Sequence, residues 1–304
     1  MKILITGANG LLGQKLVALY ASRPEVDLIA TGRGTDRNPS GTHRYVQMDV
    51  TDPDQVQATF KEVKPDAMIH TAAMTQVDQC ETDREGCWLQ NVTAVGHLIE
   101  ACEHHNTFFL HLSTDFIFDG TAGPYREEDD PNPISYYGES KLASEKLLME
   151  SSLNWAIART VLVYGLVQDM SRSNIILWVK QSLEAKKDIQ VVNDQWRTPT
   201  LAEDLAIGCA LIVDKAATGV FNISGSDLLT PYDMAEKTAT FFGLESATMK
   251  QADGSIFKQP AKRPPKTGFV LEKARAQLGY NPRSFEEGLA ILRDQLVRFE
   301  KSEN

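Results

Sequence analysis

The segment 135–141 reads SYYGESK and places a phenol and an ammonium group four residues apart. On a helix, residues i and i+4 lie on the same face, so Tyr137 and Lys141 can point into one pocket while Tyr136 points elsewhere. A lysine charge close to a phenol lowers the phenol pKa from about 10, which suits proton transfer near neutral pH. Taken alone, the pair is better explained as an ordinary helix-face contact, because Y-x-x-x-K is frequent by chance, so other parts of the chain must decide.

A glycine-rich loop near the start of the chain is the second chemical feature. The segment GANGLLG follows the strand-like run KILIT and opens an apolar-periodic helix over residues 11–21. Glycines let the backbone approach a pyrophosphate, and the helix N-terminus supplies amide groups, whereas the alternative is a simple tight turn. The spacing favours dinucleotide binding. The predicted contacts are Gly7, Asn9, Gly10, Leu11, Leu12 and Gly13.

The end of the second strand indicates which dinucleotide binds. A carboxylate at this point would bond the ribose hydroxyls of NAD, but the chain reads ATGRGTDR. Arg33 stands just past the strand, where an arginine accommodates a 2′-phosphate; the alternative for it is a solvated loop charge. Asp49 and Val50 follow the third strand and are predicted to border the adenine. We therefore predict NADPH as the cofactor, with NADH as a second substrate of the same site.

The glycine loop, Arg33 and the Tyr137–Lys141 pair can form one site only in a fold that brings the ends of several strands together. Short apolar strand-like runs alternate with helical segments through the first half of the chain, which predicts an α/β fold with a Rossmann-type, doubly wound parallel sheet. The strand-like runs are residues 2–6, 27–32, 44–50, 67–73, 108–114 and 155–160. The helical segments are residues 11–21, 53–63, 81–104 and 137–150.

The second half of the chain is less regular. We predict an NAD(P)-binding Rossmann domain over residues 1–160 and a smaller C-terminal substrate lobe over residues 161–304. A helix is predicted over residues 173–187. The boundary is diffuse, because the segment of about 203–225, a helix and then a strand, is able to return to the main sheet.

Composition excludes several classes of function. The chain has 304 residues and a formal net charge of −10, so neither nucleic acid nor an anionic membrane is expected as a partner. No apolar run is long enough to span a bilayer, and the N-terminus does not read as a signal peptide. No ligand spacing predicts a metal site. The cysteines form no C-x-x-C pair and are predicted to be reduced thiols of a cytoplasmic protein: Cys80, Cys87, Cys102 and Cys209.

Several motifs together resemble a known group across nearly the whole chain. The order of elements resembles the extended short-chain dehydrogenases/reductases. The segments HTAAMTQVDQCE (70–81), LSTDFIFDG (112–120), YYGESKLASE (136–145) and NDQWRTPT (193–200) closely resemble the dTDP-4-dehydrorhamnose reductase family. This resemblance implies NADPH-dependent reduction of a 4-keto nucleotide sugar, most directly dTDP-4-dehydrorhamnose to dTDP-rhamnose.

The resemblance also implies roles for individual residues. The catalytic triad is Thr114, Tyr137 and Lys141, with Ser113 the less favoured neighbour of Thr114 and Asn91 a supporting residue. Tyr137 protonates the substrate oxygen, Thr114 donates a hydrogen bond to that oxygen, and Lys141 bonds the nicotinamide ribose and lowers the Tyr137 pKa. Tyr136 is then a wall residue. Further predicted contacts are Ala72 and Ala73 to the cofactor, and Thr75, Asp115, Trp196 and Arg263 to the substrate.

The chain departs from the family pattern on the substrate side. Arg197 occupies a position that is commonly glycine, and Leu162 stands where a tryptophan often packs against the sugar. Trp196 is equally a plain core residue on sequence grounds. Arg263 or the preceding lysine can meet a diphosphate, although a solvated basic loop is the slightly preferred reading. These departures leave the triad intact and put the particular sugar in question.

Two other functions remain open at this point. The chain also resembles the regulatory subunit of methionine adenosyltransferase, which shares the fold and binds NADP without needing to reduce a substrate. Such a protein has no need of a complete triad, so the intact triad favours an enzyme. The other alternative is a reductase or epimerase of a different nucleotide sugar. A nucleotide-sugar substrate is the expected partner, and a homodimer is left open.

Overall fold

The computed structural model describes residues 1–38, 43–168 and 174–302. Its strands are β1 (Lys2–Thr6), β2 (Asp27–Gly32), β3 (Arg44–Gln47), β4 (Ala67–His70), β5 (Phe108–Thr114), β6 (Trp155–Thr160), β7 (Val163–Tyr164), β8 (Ile189–Val192), β9 (Thr200–Leu201), β10 (Gly219–Asn222) and β11 (Met249–Ala252). Its helices are α1 (Leu11–Ala21), α2 (Pro53–Val63), α3 (Val77–Thr82), α4 (Arg84–Trp88), α5 (Ala94–His105), α6 (Tyr136–Met149), α7 (Ile175–Glu184), α8 (Ala202–Asp214), α9 (Pro231–Phe242) and α10 (Phe285–Ser302).

Seven strands form one parallel sheet in the order β3-β2-β1-β4-β5-β6-β10. The strand order reverses between β1 and β4, so their carboxyl ends open a crevice where ligands of such sheets bind. The predicted α/β Rossmann-type fold is confirmed. Four of the six predicted strands have the predicted bounds, and the strands that begin at residues 44 and 67 each end three residues earlier.

The sheet is buried on both faces, which explains the continuous apolar runs in its strands. Ile3 and Ile5 pack with α1 and α8 on one face, whereas Leu4 and Met68 pack with α2 and α5 on the other. Side chains alternate across a strand, so each strand contributes to both layers. The carboxyl ends of the central strands are thereby held in a rigid frame.

The helical stretch predicted over about residues 81–104 begins three residues later in the structure. Asp83 leaves the helical conformation, and its side chain caps α4 by accepting a hydrogen bond from the amide of Gly86. An Asp side chain competes with the helix for backbone donors in this way. From residue 84 to His105 the backbone stays helical, because a π-helical turn over Leu89–Thr93 joins α4 to α5.

The segment of about 203–225, whose course was left open, forms α8 and β10 against the main sheet, where β10 pairs with β6. Two short parallel pairs, β7 with β9 and β8 with β11, lie outside that sheet. The predicted helix over 173–187 appears as α7, and residue 173 lies outside the described residues. The division of the chain into two lobes near residue 160 stays a prediction.

Within the described ranges, no helix has the length and apolar character needed to cross a bilayer. The same ranges contain no group of three or more His, Cys, Asp or Glu side chains arranged to hold a metal ion.

Candidate active site

The glycine loop between β1 and α1 has no room for side chains at two positions. Gly7 has a φ of +68°, and a Cβ atom there would lie 2.7 Å from the Ala72 amide nitrogen. A Cβ atom on Gly13 would lie 2.3 Å from the Gly7 carbonyl oxygen. The loop therefore packs directly against the residues after β4, and the crevice floor is bare backbone. This cradle fits a pyrophosphate.

The remaining predicted cofactor residues surround that cradle. Leu11 and Leu12 begin α1, and the N-cap residue Gly10 has no side chain to occupy the helix N-terminus. Ala72 and Ala73 follow β4 at the switch point and are half-buried. The structure therefore gathers these residues at one crevice, as the sequence suggested.

Asn9 has a task that the sequence did not reveal. Its side chain donates hydrogen bonds to the Thr35 carbonyl (2.8 Å) and to the Tyr45 hydroxyl (3.0 Å), and it accepts one from the Arg37 amide (3.0 Å). It thus ties the glycine loop to the loop after β2. These partners lie 26 to 36 residues away, so only the fold could identify them.

Around the predicted adenosine end, Arg33 is exposed directly after β2. The Asp49 carboxylate accepts hydrogen bonds from the amide and hydroxyl of Thr51, which fix the turn before α2. Val50 is buried. Asp49 is therefore engaged locally, while Arg33 is free to meet a phosphate from solvent.

The predicted catalytic pair comes from two neighbouring elements. Thr114 ends β5, and Tyr137 lies in the first turn of α6, whose N-terminus is capped by the Ser135 side chain. The Thr114 hydroxyl lies close enough to the Tyr137 phenol to lower its pKa, and it donates a hydrogen bond to Asp115 Oδ1 at 3.1 Å. A phenol and a hydroxyl therefore meet at the carboxyl edge of the sheet.

The prediction that Lys141 lowers the pKa of Tyr137 is wrong, because the pKa of Tyr137 is raised in the structure. Burial raises the pKa of Tyr137, the Thr114 hydroxyl lowers it, and the nearby Asp115 carboxylate raises it further. Lys141 does not oppose this, because its ammonium group turns toward His111, with Nζ 3.2 Å from Nε2. The phenol therefore rests in its protonated form, which is the form a general acid needs.

Asn91 supports the site from the π-helical turn between α4 and α5. Its amide oxygen accepts from the Met74 amide (2.8 Å), and its amide nitrogen donates to the Met74 carbonyl and to the Ser140 hydroxyl (both 3.0 Å). The turn thus joins the segment after β4 to helix α6. Short π-helical turns often occur at functional sites. Thr75, the next residue after Met74, is exposed beside this junction.

The substrate side is built around a buried ion pair. Arg197 Nε lies 3.8 Å from Asp115 Oδ2, and both side chains are almost fully buried. The same carboxylate accepts a short hydrogen bond from Thr267, and the Arg197 guanidinium donates to the Pro264 carbonyl at 2.7 Å. The sequence marked Arg197 only as a departure from a family pattern. The fold makes it the link between two loops and the catalytic strand β5.

Arg263 is also paired. Its guanidinium donates two hydrogen bonds, of 2.7 and 2.6 Å, to the Asp78 carboxylate. It lines a cavity of about 400 Å³ together with Lys262, Gln195 and Phe257. The solvated-loop reading of Arg263 is wrong, because the side chain is largely buried and holds a partner 185 residues away.

Two other substrate-side residues face outward. Trp196 is 39% exposed, so the core reading of its side chain is wrong. Leu162 is 42% exposed and has a φ of +36°, a conformation that a branched aliphatic residue rarely adopts. Backbone strain of this kind is found most often at functional sites. Both side chains are therefore available to a ligand.

The chain matches the family model described as the RmlD substrate binding domain over residues 1–298. It is 31% identical over 294 residues to a probable low-salt glycan biosynthesis reductase, Agl14, from Haloferax volcanii, covering 96% of this chain and 97% of that protein. It is 32% identical over 254 residues to the methionine adenosyltransferase 2 subunit beta from Bos taurus, covering 82% and 74% of the two chains.

The fold is also similar to a solved structure of dTDP-4-dehydrorhamnose reductase from Bacillus anthracis in complex with NADP. The TM-score is 0.83 at 26% identity, over 97% of this chain and 99% of that one. The same overall architecture therefore holds NADP in a relative. In the present chain, the cradle at Gly7 and Gly13 lies at the switch point between β1 and β4, where such sheets bind a dinucleotide.

Proposed function

The chain belongs to the RmlD substrate binding domain family, and we propose that it is an NADPH-dependent reductase of a 4-keto nucleotide sugar. The first candidate substrate is dTDP-4-dehydrorhamnose. One observation carries the proposal: the buried Tyr137 phenol lies beside the Thr114 hydroxyl at the carboxyl end of β5, with the charged side chain of Lys141 on the same face of α6. That arrangement supplies an acid, an orienting donor and a cation.

The residues have separate tasks in this proposal. The cofactor, when bound, supplies the hydride. Tyr137 transfers its phenolic proton to the substrate carbonyl oxygen, and its raised pKa keeps that proton in place until the oxygen becomes basic. Thr114 donates a hydrogen bond to the same oxygen and so fixes its position. Lys141 bonds the nicotinamide ribose.

The cofactor would lie across the crevice between β1 and β4. The bare backbone at Gly7 and Gly13 and the uncapped N-terminus of α1 would hold the pyrophosphate. Arg33 would meet the 2′-phosphate of NADPH, because it is exposed just after β2 where NAD enzymes carry a carboxylate. The NADP complex of the Bacillus anthracis relative supports this choice.

The sugar would lie against the substrate side of the same crevice. Trp196, on the facing loop, would contact it, and the buried Asp115, in the turn after β5, would support the site through its pair with Arg197. The cavity beside Arg263 and Lys262 would take the diphosphate and nucleoside, since guanidinium and ammonium groups match phosphate oxygens. Thr75 would line the entrance.

A second candidate function has its own support. The 32% identity to a methionine adenosyltransferase subunit beta favours a regulatory subunit that binds NADP and a synthetase partner. The two candidates share the cofactor crevice and differ in whether the triad is used. Substitution of Tyr137 would abolish the function of a reductase and leave a purely regulatory subunit intact.

The deciding experiment is turnover with a panel of 4-keto nucleotide sugars. We expect NADPH oxidation that depends on dTDP-4-dehydrorhamnose and yields dTDP-rhamnose, with Tyr137→Phe as the inactive control. Turnover with another keto sugar would keep the reductase and change its substrate. No turnover with any sugar, together with a stable complex with a methionine adenosyltransferase catalytic chain, would favour the regulatory function.

A further inference from the structure

The ammonium group of Lys141 is buried beneath the catalytic residues. Only 3% of the residue is exposed, and its Nζ atom lies 3.2 Å from His111 Nε2 on strand β5. Burial of a charge is costly unless a hydrogen-bond partner replaces water. The partner of this ammonium is therefore important to its charge and position.

Other charged and titratable groups face Lys141 from the surrounding elements. Glu145, one turn further along α6, is held by two hydrogen bonds of 3.1 and 2.7 Å from Arg159 on β6. Cys87 on α4 lies near enough for its charge state to affect the lysine. Tyr137 is on the same face of α6. The carboxylate oxygens of Glu145 are thus directed at Arg159, and the imidazole is left as the direct acceptor.

The state of His111 follows from its surroundings. Burial, then the Lys141 charge, then His70 lower the pKa of His111, so the imidazole is neutral. The Ser144 hydroxyl, 3.0 Å from Nε2, donates its hydrogen to the Lys141 carbonyl at 2.7 Å. That hydrogen is therefore not available to Nε2, and the Nε2 lone pair can accept from the ammonium.

Beyond Lys141, the His111 imidazole has no hydrogen-bonded route for a proton through His70. His111 stacks on His70 with ring centroids 5.5 Å apart, and His70 Nδ1 is 2.7 Å from the Thr6 hydroxyl. The other nitrogens, His111 Nδ1 and His70 Nε2, are buried and have no hydrogen-bond partner among the described residues. A proton that reached His111 would have no onward path through these two rings. The geometry therefore favours holding the lysine over relaying its proton.

We propose that His111 is a positioning residue for Lys141: its neutral imidazole accepts a hydrogen bond from the ammonium group and keeps that group charged on the face of α6 that carries Tyr137. The catalytic consequence rests on the proposed reductase function, whereas the contact itself does not. His70 stacks on the same ring without bonding the lysine, and so provides a matched control.

The direct test is NMR titration of the Lys141 ε-carbon in protein labelled with ¹³C-lysine, assigned with Lys141→Arg. Loss of a hydrogen bond to a charged group should lower the pKa of Lys141 by about one pH unit in His111→Phe. His111→Gln keeps an acceptor near the Nε2 position and should restore most of the difference. His70→Phe should leave the titration unmoved. An unmoved titration in His111→Phe, or an equal shift in His70→Phe, would overturn the proposal.

A measurement on the unmodified protein covers the case in which His111→Phe does not fold. The ¹⁵N chemical shifts of the imidazole distinguish a nitrogen that accepts from one that carries hydrogen. We expect His111 Nε2 to be unprotonated at neutral pH and Nδ1 to carry the hydrogen. A protonated Nε2, donating to Ser144, would contradict the proposal.

The pH–rate profile then connects the contact with catalysis. If the reductase function is correct, the basic limb of the profile should move down in His111→Phe by the same amount as the Lys141 titration. A shifted titration in a protein that reduces none of the keto sugars would refute the proposed function and leave the positioning role standing. A shifted titration with an unmoved basic limb would show that the limb belongs to another group, and would overturn the catalytic part of this inference.

Discussion

The two sides of the candidate active site are built differently. The proposed catalytic floor consists of Thr114, Tyr137 and Lys141, and two of these three residues lie one turn apart on α6. The proposed substrate wall consists of the loops 194–198 and 261–267. Its charged groups are paired with residues far away in sequence, such as Arg263 with Asp78 and Arg197 with Asp115.

The floor is therefore suited to catalysis, whereas the paired charges of the wall hold the loops in place. The floor carries groups whose pKa is shifted by burial, and the Lys141 ammonium meets a neutral acceptor instead of a carboxylate. The wall carries ion pairs that are satisfied within the protein. Changes in the floor should therefore alter the rate, and changes in the wall should alter stability or substrate affinity.

The largest expected effect is on the floor. Tyr137→Phe removes the general acid and should reduce kcat by about 10²–10⁴-fold, while NADPH binding stays nearly unchanged. Steady-state kinetics and cofactor titration measure the two quantities. Tyr136→Phe is the matched control, because the Tyr136 ring packs against Trp88 and Arg84. Equal losses in the two variants would show that the acid is misassigned.

The largest effect on the wall should be on stability. Arg197→Met leaves the Asp115 carboxylate buried without its countercharge, and such a loss costs about 3–5 kcal/mol in the free energy of unfolding. Urea denaturation measures the change. Asp115→Asn in the same chain removes the stranded charge and should recover much of the loss. A double variant no more stable than Arg197→Met would argue against the ion pair.

Lys141 should set the alkaline limit of activity. Burial lowers its pKa to about 8, with the Glu145 carboxylate opposing this. The ammonium is present below that pKa, so activity should be full below pH 8 and should fall as the pH rises through it. Lys141→Met should lose this limb and weaken NADPH binding. A basic limb that survives in Lys141→Met would assign it elsewhere.

Arg263 tests whether the wall binds substrate as well as supporting the fold. If its guanidinium also meets the diphosphate, Arg263→Met should raise KM for the nucleotide sugar by about 10–100-fold. The effect on stability should stay within about 1 kcal/mol, because the Asp78 pair is partly exposed. Lys262→Met provides a neighbour of like charge for comparison. A large loss of stability with an unchanged KM would make Arg263 purely structural.

The smallest effect should be on cofactor choice. Arg33→Ala should raise KM for NADPH by about tenfold, because one charge-assisted hydrogen bond is lost in a solvent-facing position. KM for NADH should stay nearly the same, since NADH lacks the 2′-phosphate. Initial rates with both cofactors on both proteins measure this. A wild type that prefers NADH would remove the basis for the role of Arg33.

Local patterns were sufficient for the elements of the sheet. The bounds of β1, β2, β5, β6, α1 and α2 agree with prediction, because hydrophobic periodicity and the residues that end an element are local features of the sequence. The helical stretch predicted over about 81–104 begins only at residue 84, because the Asp83 side chain captures a backbone amide. Periodicity also gave no sign of the π-helical turn that carries Asn91.

The sequence by itself determined the order of strands and helices, the glycine cradle and the i, i+4 pair of Tyr137 and Lys141, since each depends on residues close together in the chain. Only the tertiary structure decided which hydrogen-bond or ion-pair partner each charged side chain has. His111 reaches Lys141 across 30 residues, and Arg197 reaches the carbonyl of Pro264 across 67. The pKa of a buried group depends on solvent exclusion and on partners from other elements, so its direction could be known only once the chain was folded.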